Sequence, residues 1–491
     1  MKINRIKIFT VTFCLVLLIS CEKWVDIKEP TNLIGVNVIF EDTNSVKTLM
    51  GDMYYQMSGG GGQHFSNIAY RSALICDELK FKPESTIPVG YNNIIESYYC
   101  SYSSSSIIFS FWNSWYNPVF QANVLLERLP AVNNANFPEA KKREYAGVAH
   151  TIRAWKHYDL ARCYGDVPLI ESTSVDLASA AGRTAQSAIF NFVIEDLKKA
   201  SDELPTTKGA VQLINCKFQA QSSLARVYLQ TEKWAEAEIA ATSVINSGLY
   251  SIEPDLNKVF KRGSKEIIFA IGDSRATGNV YNGRANILNM LYSSSQISNL
   301  TSSNMNYIAG ASVQFATLSD QLMNSFESSD KRAIDGNWVK KYSYNSYNFV
   351  IPYKYKVSLS TLDNNLAVSA PEDEVWIRLA EIYLIRAEAR ANQNKISEAA
   401  ADLNVIRNRA GLANTTANDK ATLLTAIENE RWHELFLEGH RFFDLSRSGK
   451  LDAVISAIPF KAANWASYKK YWPIPETYLF QNPWLKQTAG Y

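Results

Sequence analysis

Apolar positions recur at helical spacing through two long stretches of the chain, and between them the recurrence stops. Over 185–203, Ile189, Phe192, Val193, Leu197 and Ala200 share one helical face, and Pro205 ends it. Residues 214–230 and 233–247 carry the same period in two pieces. There Ala225, Tyr228, Leu229, Trp234 and Ala237 mix small and large side chains. Small residues let helix axes approach and large ones fill the grooves, which predicts a packed hairpin. A second hairpin is predicted over 374–393 and 395–410. Leu379, Ala380, Tyr383, Leu384 and Ala387 mark its first helix, and Ala399, Ala400, Leu403 and Ile406 its second. Gly411 stops it. Helices are also predicted over 107–129, with a break at Pro118, and over 139–164.

Both hairpins have the size of a tetratricopeptide unit, about 34 residues. They are not a tandem array, because some 125 residues separate them. That insert, about 249–370, is rich in Ser, Asn, Gly and Tyr. Ile267–Ile271 is its one strand candidate, and the remainder reads as long loops. A second irregular zone, 58–106, holds Gly59 to Gly62, then Tyr91, Tyr98, Tyr99 and Tyr102, then four serines at 103–106. The pattern predicts a mainly α fold: a scaffold of helix pairs (about 107–247 and 374–445) with few short strands and a loop-rich region (58–106 and 249–370).

The N-terminus follows a different pattern. Lys2, Arg5 and Lys7 precede an apolar run from Ile8 to Ile19, too short for the roughly 20 residues of a membrane-spanning helix. Residues 1–20 therefore read as a secretory signal peptide. The run ends in Leu18-Ile19-Ser20-Cys21, which is similar to the lipobox of bacterial lipoproteins. In such proteins the cysteine, here Cys21, becomes the first mature residue and carries the lipid. Two acyl chains give stable anchoring. Residues 21–36 read as a lipidated tether, with Pro30 and Gly35 breaking any helix, and 37–491 as a single domain.

Charge and composition narrow the function. Of 491 residues, 46% are hydrophobic, which excludes disorder over most of the chain. Loss of Lys2, Arg5 and Lys7 takes the net charge from +2 to −1, and no basic stripe exists for nucleic acid. Cys76, Cys100, Cys163 and Cys216 show no metal-ligand spacing. A Cys76–Cys100 disulfide is open to a secreted chain, and spacing does not decide it.

Motifs for catalysis are missing. His433-Glu434 begins the zinc-protease pattern, but position 437 is Leu where the second His belongs. Glu430, Glu434 and Glu438 share a helical face and read as an acidic face paired with Arg431, Arg441 and other cations. Arg441 and Asp444 read as a structural ion pair. No phosphate-binding or nucleophile motif occurs, and no cofactor is expected.

Five segments together resemble the SusD/RagB family of outer-membrane nutrient-binding lipoproteins. They are Arg153 to Leu169 with Tyr164-Gly165-Asp166-Val167-Pro168-Leu169; Ala225 to Leu229 with Trp234; Ile377 to Ala389 with Asn404 to Gly411; Glu430 to Leu445; and Trp472-Pro473-Ile474-Pro475 with Asn482-Pro483 and Gly490-Tyr491. With the lipobox they span essentially the whole chain. The resemblance implies a SusD-like fold and a lipid-anchored body facing the cell exterior. The implied partner is a SusC-like TonB-dependent transporter, which receives glycans or, in the RagB branch, peptides.

The ligand site falls outside those motifs and rests on side-chain chemistry. Most tryptophans (112, 115, 155, 234, 376 and 432) lie in helical patterns and are expected in the core. Trp472 and Trp484 are expected to lock down the C-terminal segment. Rings in loops have no local reason to be buried. A flat ring covers the apolar face of a sugar, while amides and guanidiniums reach its hydroxyls. Trp338, Tyr281, Asn282, Arg284, Tyr307, Tyr91 and Tyr98 are the candidate ligand contacts, with Trp338 presented by a turn at Asp335-Gly336-Asn337. Stacked rings favour a glycan. A peptide ligand and a surface glycoside hydrolase are the alternatives.

Overall fold

The structure, a computed structural model, describes residues 40, 43–58, 65–82, 100, 108–135, 137–209, 216–271, 315–344, 347–356 and 372–491. Met50–Tyr491 forms one compact unit. The chain up to Leu49 forms another, described only at Phe40 and from Thr43, where helix α1 (Thr43–Ser58) begins.

Helix α4 (Glu139–Tyr164) is the centre of the first half. It packs against α3 (Ile108–Arg128) and α6 (Gln186–Glu203), with a short α5 (Val175–Ala180) in the connection. From Gly147 to Tyr164 every residue of α4 is buried, charged ones included. Buried charges need partners. Arg153 grips Asp196 of α6 through two bonds of 2.7 and 2.8 Å and donates to Asn123 of α3 at 2.8 Å. One arginine therefore ties three helices. Helix α3 runs through Pro118 without the expected break. Proline in a helix costs about 3 kcal/mol. Burial of Trp115, Val119, Ala122 and Leu125 on either side of it offsets that cost.

The two hairpins are α7 (Lys217–Gln230) with α8 (Trp234–Asn246), and α10 (Leu379–Asn392) with α11 (Ile396–Arg409). Far apart in sequence, they are neighbours in space: α8 packs on α10, and α12 (Lys420–Leu435) closes over α10 and α11. The helix pairs thus form one continuous stack, with the insert looping out of it. Residues 374–378, expected as the start of a helix, form a strand instead. Strand β6 (Glu374–Arg378) pairs antiparallel with β2 (Ile267–Ile271), and both are buried on both faces. Val375, Trp376 and Ile377 suit such a strand, and the pairing partner more than a hundred residues away overrides the local helical signal.

The insert holds more structure than loops. Strand β1 (Leu79–Lys82), which follows α2 (Phe65–Ile75), pairs with β3 (Phe315–Leu318). A short α9 (Asp320–Ser325) follows, and β4 (Val339–Tyr344) and β5 (Tyr347–Pro352) form a hairpin. Trp338 sits in the expected turn, but the turn does not present it to solvent. Trp338 precedes β4 fully buried, its Nε1 donating to the Leu256 carbonyl at 2.9 Å, packed against Phe260 and Phe436. The turn, with Gly336 at φ +88°, aims the indole inward.

Beneath Trp338 lies a cluster of buried charge. Glu434 accepts from Arg378 at 2.5 Å, from Arg332 at 2.9 Å and from Arg409. Glu430 accepts from Arg332 at 2.7 Å, Glu438 from Arg378 at 2.7 Å and Lys354 at 2.6 Å, and Glu266 from Arg378 at 2.8 Å. The three glutamates of one helical face are therefore buried. Their cations come from the insert, β6 and α11 rather than from Arg431 and Arg441. Arg441 does not pair with Asp444. It reaches Asp77 at 2.7 Å because α13 (Arg441–Arg447) packs on α2, which Asp77 follows. Asp444 takes Arg431 and Arg447.

After the short helices α14 (Leu451–Ser456) and α15 (Pro459–Ala462), the C-terminal segment seals the end of α4. Trp472 donates its backbone N–H to the Cys163 carbonyl at 2.7 Å and stacks on Phe111. Gly165, at φ +77°, lets the chain leave α4 against the Tyr471 ring, which a Cβ would meet at 3.3 Å. Trp472 is buried, but Trp484 is 66% exposed and locks nothing. Cys76 and Cys100 are free, buried thiols. Among the described residues no helix is long and apolar enough to cross a membrane.

Burial pushes the Glu434 carboxyl up, but the guanidiniums of Arg409, Arg378 and Arg332 outweigh it and hold it well below the ordinary range. Glu438 is lowered in the same way, against its burial, by Arg378 and Lys354. The folded state thus binds these protons less readily than the unfolded chain, whose glutamates titrate near about 4.3. Their stabilisation is complete above that value and is lost as pH falls toward the folded values. Glu430, which burial pushes up, opposes this trend. Equilibrium unfolding between pH 6 and pH 3 should show the midpoint falling below about pH 4.5.

Glu434→Gln removes the charge shared by three arginines and should destabilise by about 3–5 kcal/mol, seen as a lower urea midpoint. Trp338→Ala should cost a similar amount, about 3–5 kcal/mol, as a core deletion. A urea midpoint unchanged by Trp338→Ala would contradict its placement in the core.

Candidate functional site

A cleft of about 360 Å³ opens where the β1–β3 ribbon lies beside the β4–β5 hairpin. Strand alternation builds it. Tyr342 and Phe349 are cross-strand partners and stack with centroids 5.4 Å apart, turned toward the core that holds Trp338. Lys341, Ser343 and Asn348 are exposed, and Ser343 donates to the Asn348 side-chain carbonyl at 2.6 Å across the hairpin. The other wall carries Lys80 of β1, ion-paired with Asp320 at the start of α9, and Met323. The Tyr342 ring is half-buried, and burial raises its hydroxyl pKa, so it stays neutral and a donor.

This lining offers two stacked aromatic rings, hydroxyls, an amide and few free charges. It suits an uncharged, hydroxyl-bearing ligand. It holds no nucleophile–base pair: the described lining contains no His or Cys, and Asp320 is tied to Lys80. His433 lies away from it, neutral because burial pulls its pKa down to about 3. It is bonded to Ser325 at 2.8 Å and stacked on Phe326. Among the described residues no group of His, Cys, Asp and Glu could hold a metal ion.

The structure separates the residues singled out from sequence. Trp338 does not line the cleft but belongs to the buried core next to it, with Lys354 4.6 Å and Arg409 5.2 Å from its ring centroid. Cys21, Tyr91, Tyr98, Tyr281, Asn282, Arg284 and Tyr307 lie outside the described residues. Lys80, Asp320 and Asn348 were not legible as site residues. The hairpin that presents Asn348 did leave a signal. Rings alternate with polar residues on both sides of a two-residue link, Asn345-Ser346.

The placement of β1 and β3 connects this cleft with the two irregular zones. Lys82, the last residue of β1, is the pairing partner of Phe315, the first of β3.

Comparison with known proteins gives a consistent picture. A model of the SusD family matches residues 289–491, and one described as "Starch-binding associating with outer membrane" matches 24–229. The SusD-like protein P25 of Formosa agariphila is 24% identical, with 99% of this chain and 98% of that protein covered. A SusD superfamily protein of Bacteroides vulgatus superposes with a TM-score of 0.75 at 20% identity, covering 92% of this chain and 99% of its own. A solved laminarin-binding SusD-like protein gives 0.72 at 23% identity, with 92% of this chain and 100% of that one covered. Two models matched to different parts of the chain, relatives named SusD-like and a helix-pair fold shared over nearly the full length lead to one conclusion: the chain is a SusD-like protein.

Proposed function

We propose that this protein is a glycan-binding lipoprotein of the outer membrane that captures oligosaccharides at the cell surface and passes them to a SusC-like TonB-dependent transporter. One observation carries the glycan reading: the cleft is lined by the Tyr342 and Phe349 rings, the Thr317 and Ser343 hydroxyls and the Asn348 amide, while Lys80 and Asp320 neutralise each other. Tyr91, Tyr98, Tyr281, Asn282, Arg284 and Tyr307 are the further contacts in this proposal. The laminarin-binding relative of the same fold supports a carbohydrate ligand. Cys21 carries the lipid, and the protein acts by binding, without catalysis.

A ring contact adds about 0.5–1.5 kcal/mol beyond burial. Once a saccharide ligand is found by screening, Tyr342→Ala should therefore weaken binding about three- to tenfold by calorimetry, with the fold retained. Binding of peptides and of no saccharide in the same screen would replace the glycan reading with a peptide one. Cys21→Ala should move the protein from the membrane to the soluble fraction. Retention in washed membranes would contradict the lipid anchor.

A further inference from the structure

A second groove, of about 430 Å³, lies on the other half of the molecule between α3, α5 and the short helix α16 (Glu476–Gln481). None of the residues lining it carries a charge. Helix α3 contributes the rings of Trp112, Tyr116 and Phe120, and Tyr478 faces Trp112 at a centroid distance of 6.4 Å. Phe120 is 48% exposed, unusual for a Phe in the middle of a packed helix. Asn113 and Asn117 stand one turn apart beside it, and Gln481 adds an amide from α16. These three side-chain amides are exposed and have no partner among the described residues.

The groove is held open by its own bonds. Asn123 donates to the Ile170 and Ser172 carbonyls at 3.2 and 3.1 Å. Thr173 donates its backbone N–H to Glu127 at 2.8 Å. Asn482 donates to the Ala181 carbonyl at 2.8 Å. Its walls therefore need little ordering when a ligand enters. The Tyr116 hydroxyl is already used on the Pro168 carbonyl, so that ring offers its face rather than its oxygen.

Flat apolar faces bordered by unpaired amides, with charge absent throughout, match a neutral sugar. They disfavour an acidic or sulfated one, which would bring charge into a site with no cation to receive it. From Asn113 to Phe120 the α3 wall runs about 10 Å, longer than a single contact point. A protein partner would find the same apolar surface, but a concave groove with three free amides is better matched to hydroxyl groups than to a flat interface. We propose that this groove is a second saccharide site, selective for neutral glycans and separate from the cleft at β1–β3 and β4–β5. It takes its ligand class from the function proposed above but does not depend on that cleft.

Affinity electrophoresis through gels containing laminarin, starch or alginate tests it, using the full-length lipid-free protein. At least one neutral polysaccharide should slow the protein and alginate should not do so through this groove. Phe120→Ala and Gln481→Ala should each weaken that retardation about threefold or more, also in a Tyr342→Ala background that disables the first cleft. Both residues are exposed, so melting temperatures should stay close to the parent. Should Phe120→Ala fold poorly, Val175→Asp on the facing wall is the replacement, since Val175 is 74% exposed. Retardation lost with Tyr342→Ala but unchanged by Phe120→Ala and Gln481→Ala would overturn the second site and leave the first intact. Retardation by alginate alone, sensitive to Phe120→Ala, would overturn its neutral selectivity. If no polysaccharide slows the protein, the second site fails. The glycan reading fails with it only if the wider saccharide screen is also empty. Unchanged sugar binding with loss of transporter co-purification in Phe120→Ala would mark the groove as a protein interface.

Discussion

The ion network around Glu434 is the constraint from which the rest of the structure follows. It joins chain segments that local sequence cannot join: Glu266 before β2, Asp330 and Arg332 after α9, Lys354 after β5, Arg378 at the end of β6, Arg409 in α11, and the three glutamates of α12 and its end. Each buried charge is costly alone, and each is compensated only when the others are in place. The network therefore acts less as a source of net stability than as a test of registry. A slip of any one segment leaves a charge unpaired in the interior.

That registry positions the surface above it. Trp338 packs over Lys354, Arg378 and Arg409, and the strand it opens carries Lys341, Tyr342 and Ser343 to the cleft. Lys354 also donates to the Glu434 and Phe436 carbonyls at 2.8 Å each, fixing the end of β5 to the end of α12. The buried tryptophan is thus an indirect contributor: it supports the rings and amides that reach solvent. Burial pulls the Lys354 ammonium down to about 8, while Glu438 works to keep it charged.

The stack of helix pairs serves as a frame with two distinct borders. On one, the ribbons of the insert gather short strands from three parts of the chain. On the other, α3, α5 and α16 enclose the uncharged groove. Single sugar contacts are weak, and a polymer offers many equivalent units. The two proposed sites on one body would gain from effective concentration without either becoming tight. Moderate affinity at each would also be compatible with release, which the proposed capture role needs as much as binding.

Local pattern was enough for the helices of the two hairpins and for α4 and α6, though not for α2 (Phe65–Ile75), which lies in a zone read as irregular. Their 3.6-residue periodicity, the mix of small and large residues in both hairpins and the Gly411 stop are properties of neighbouring residues, and they read correctly. The segments around Tyr164-Gly165-Asp166 and Trp472-Pro473 were legible as family motifs. The fold shows why: a glycine with positive φ lets the C-terminal rings cap α4. What the sequence could not decide were events set by distant partners. Residues 374–378 became a strand because β2 was there to pair. Pro118 stayed within α3 because burial on both sides outweighed the lost backbone bond. Arg441 chose Asp77 over Asp444 because α13 lies on α2. Trp338, read as a loop ring for lack of any periodic context, was drawn into the core because a buried cluster of cations and rings had one open face to cover. Periodicity records which face of an element is apolar. Which other element covers that face, and so which rings remain for a ligand, is decided only when the chain closes on itself.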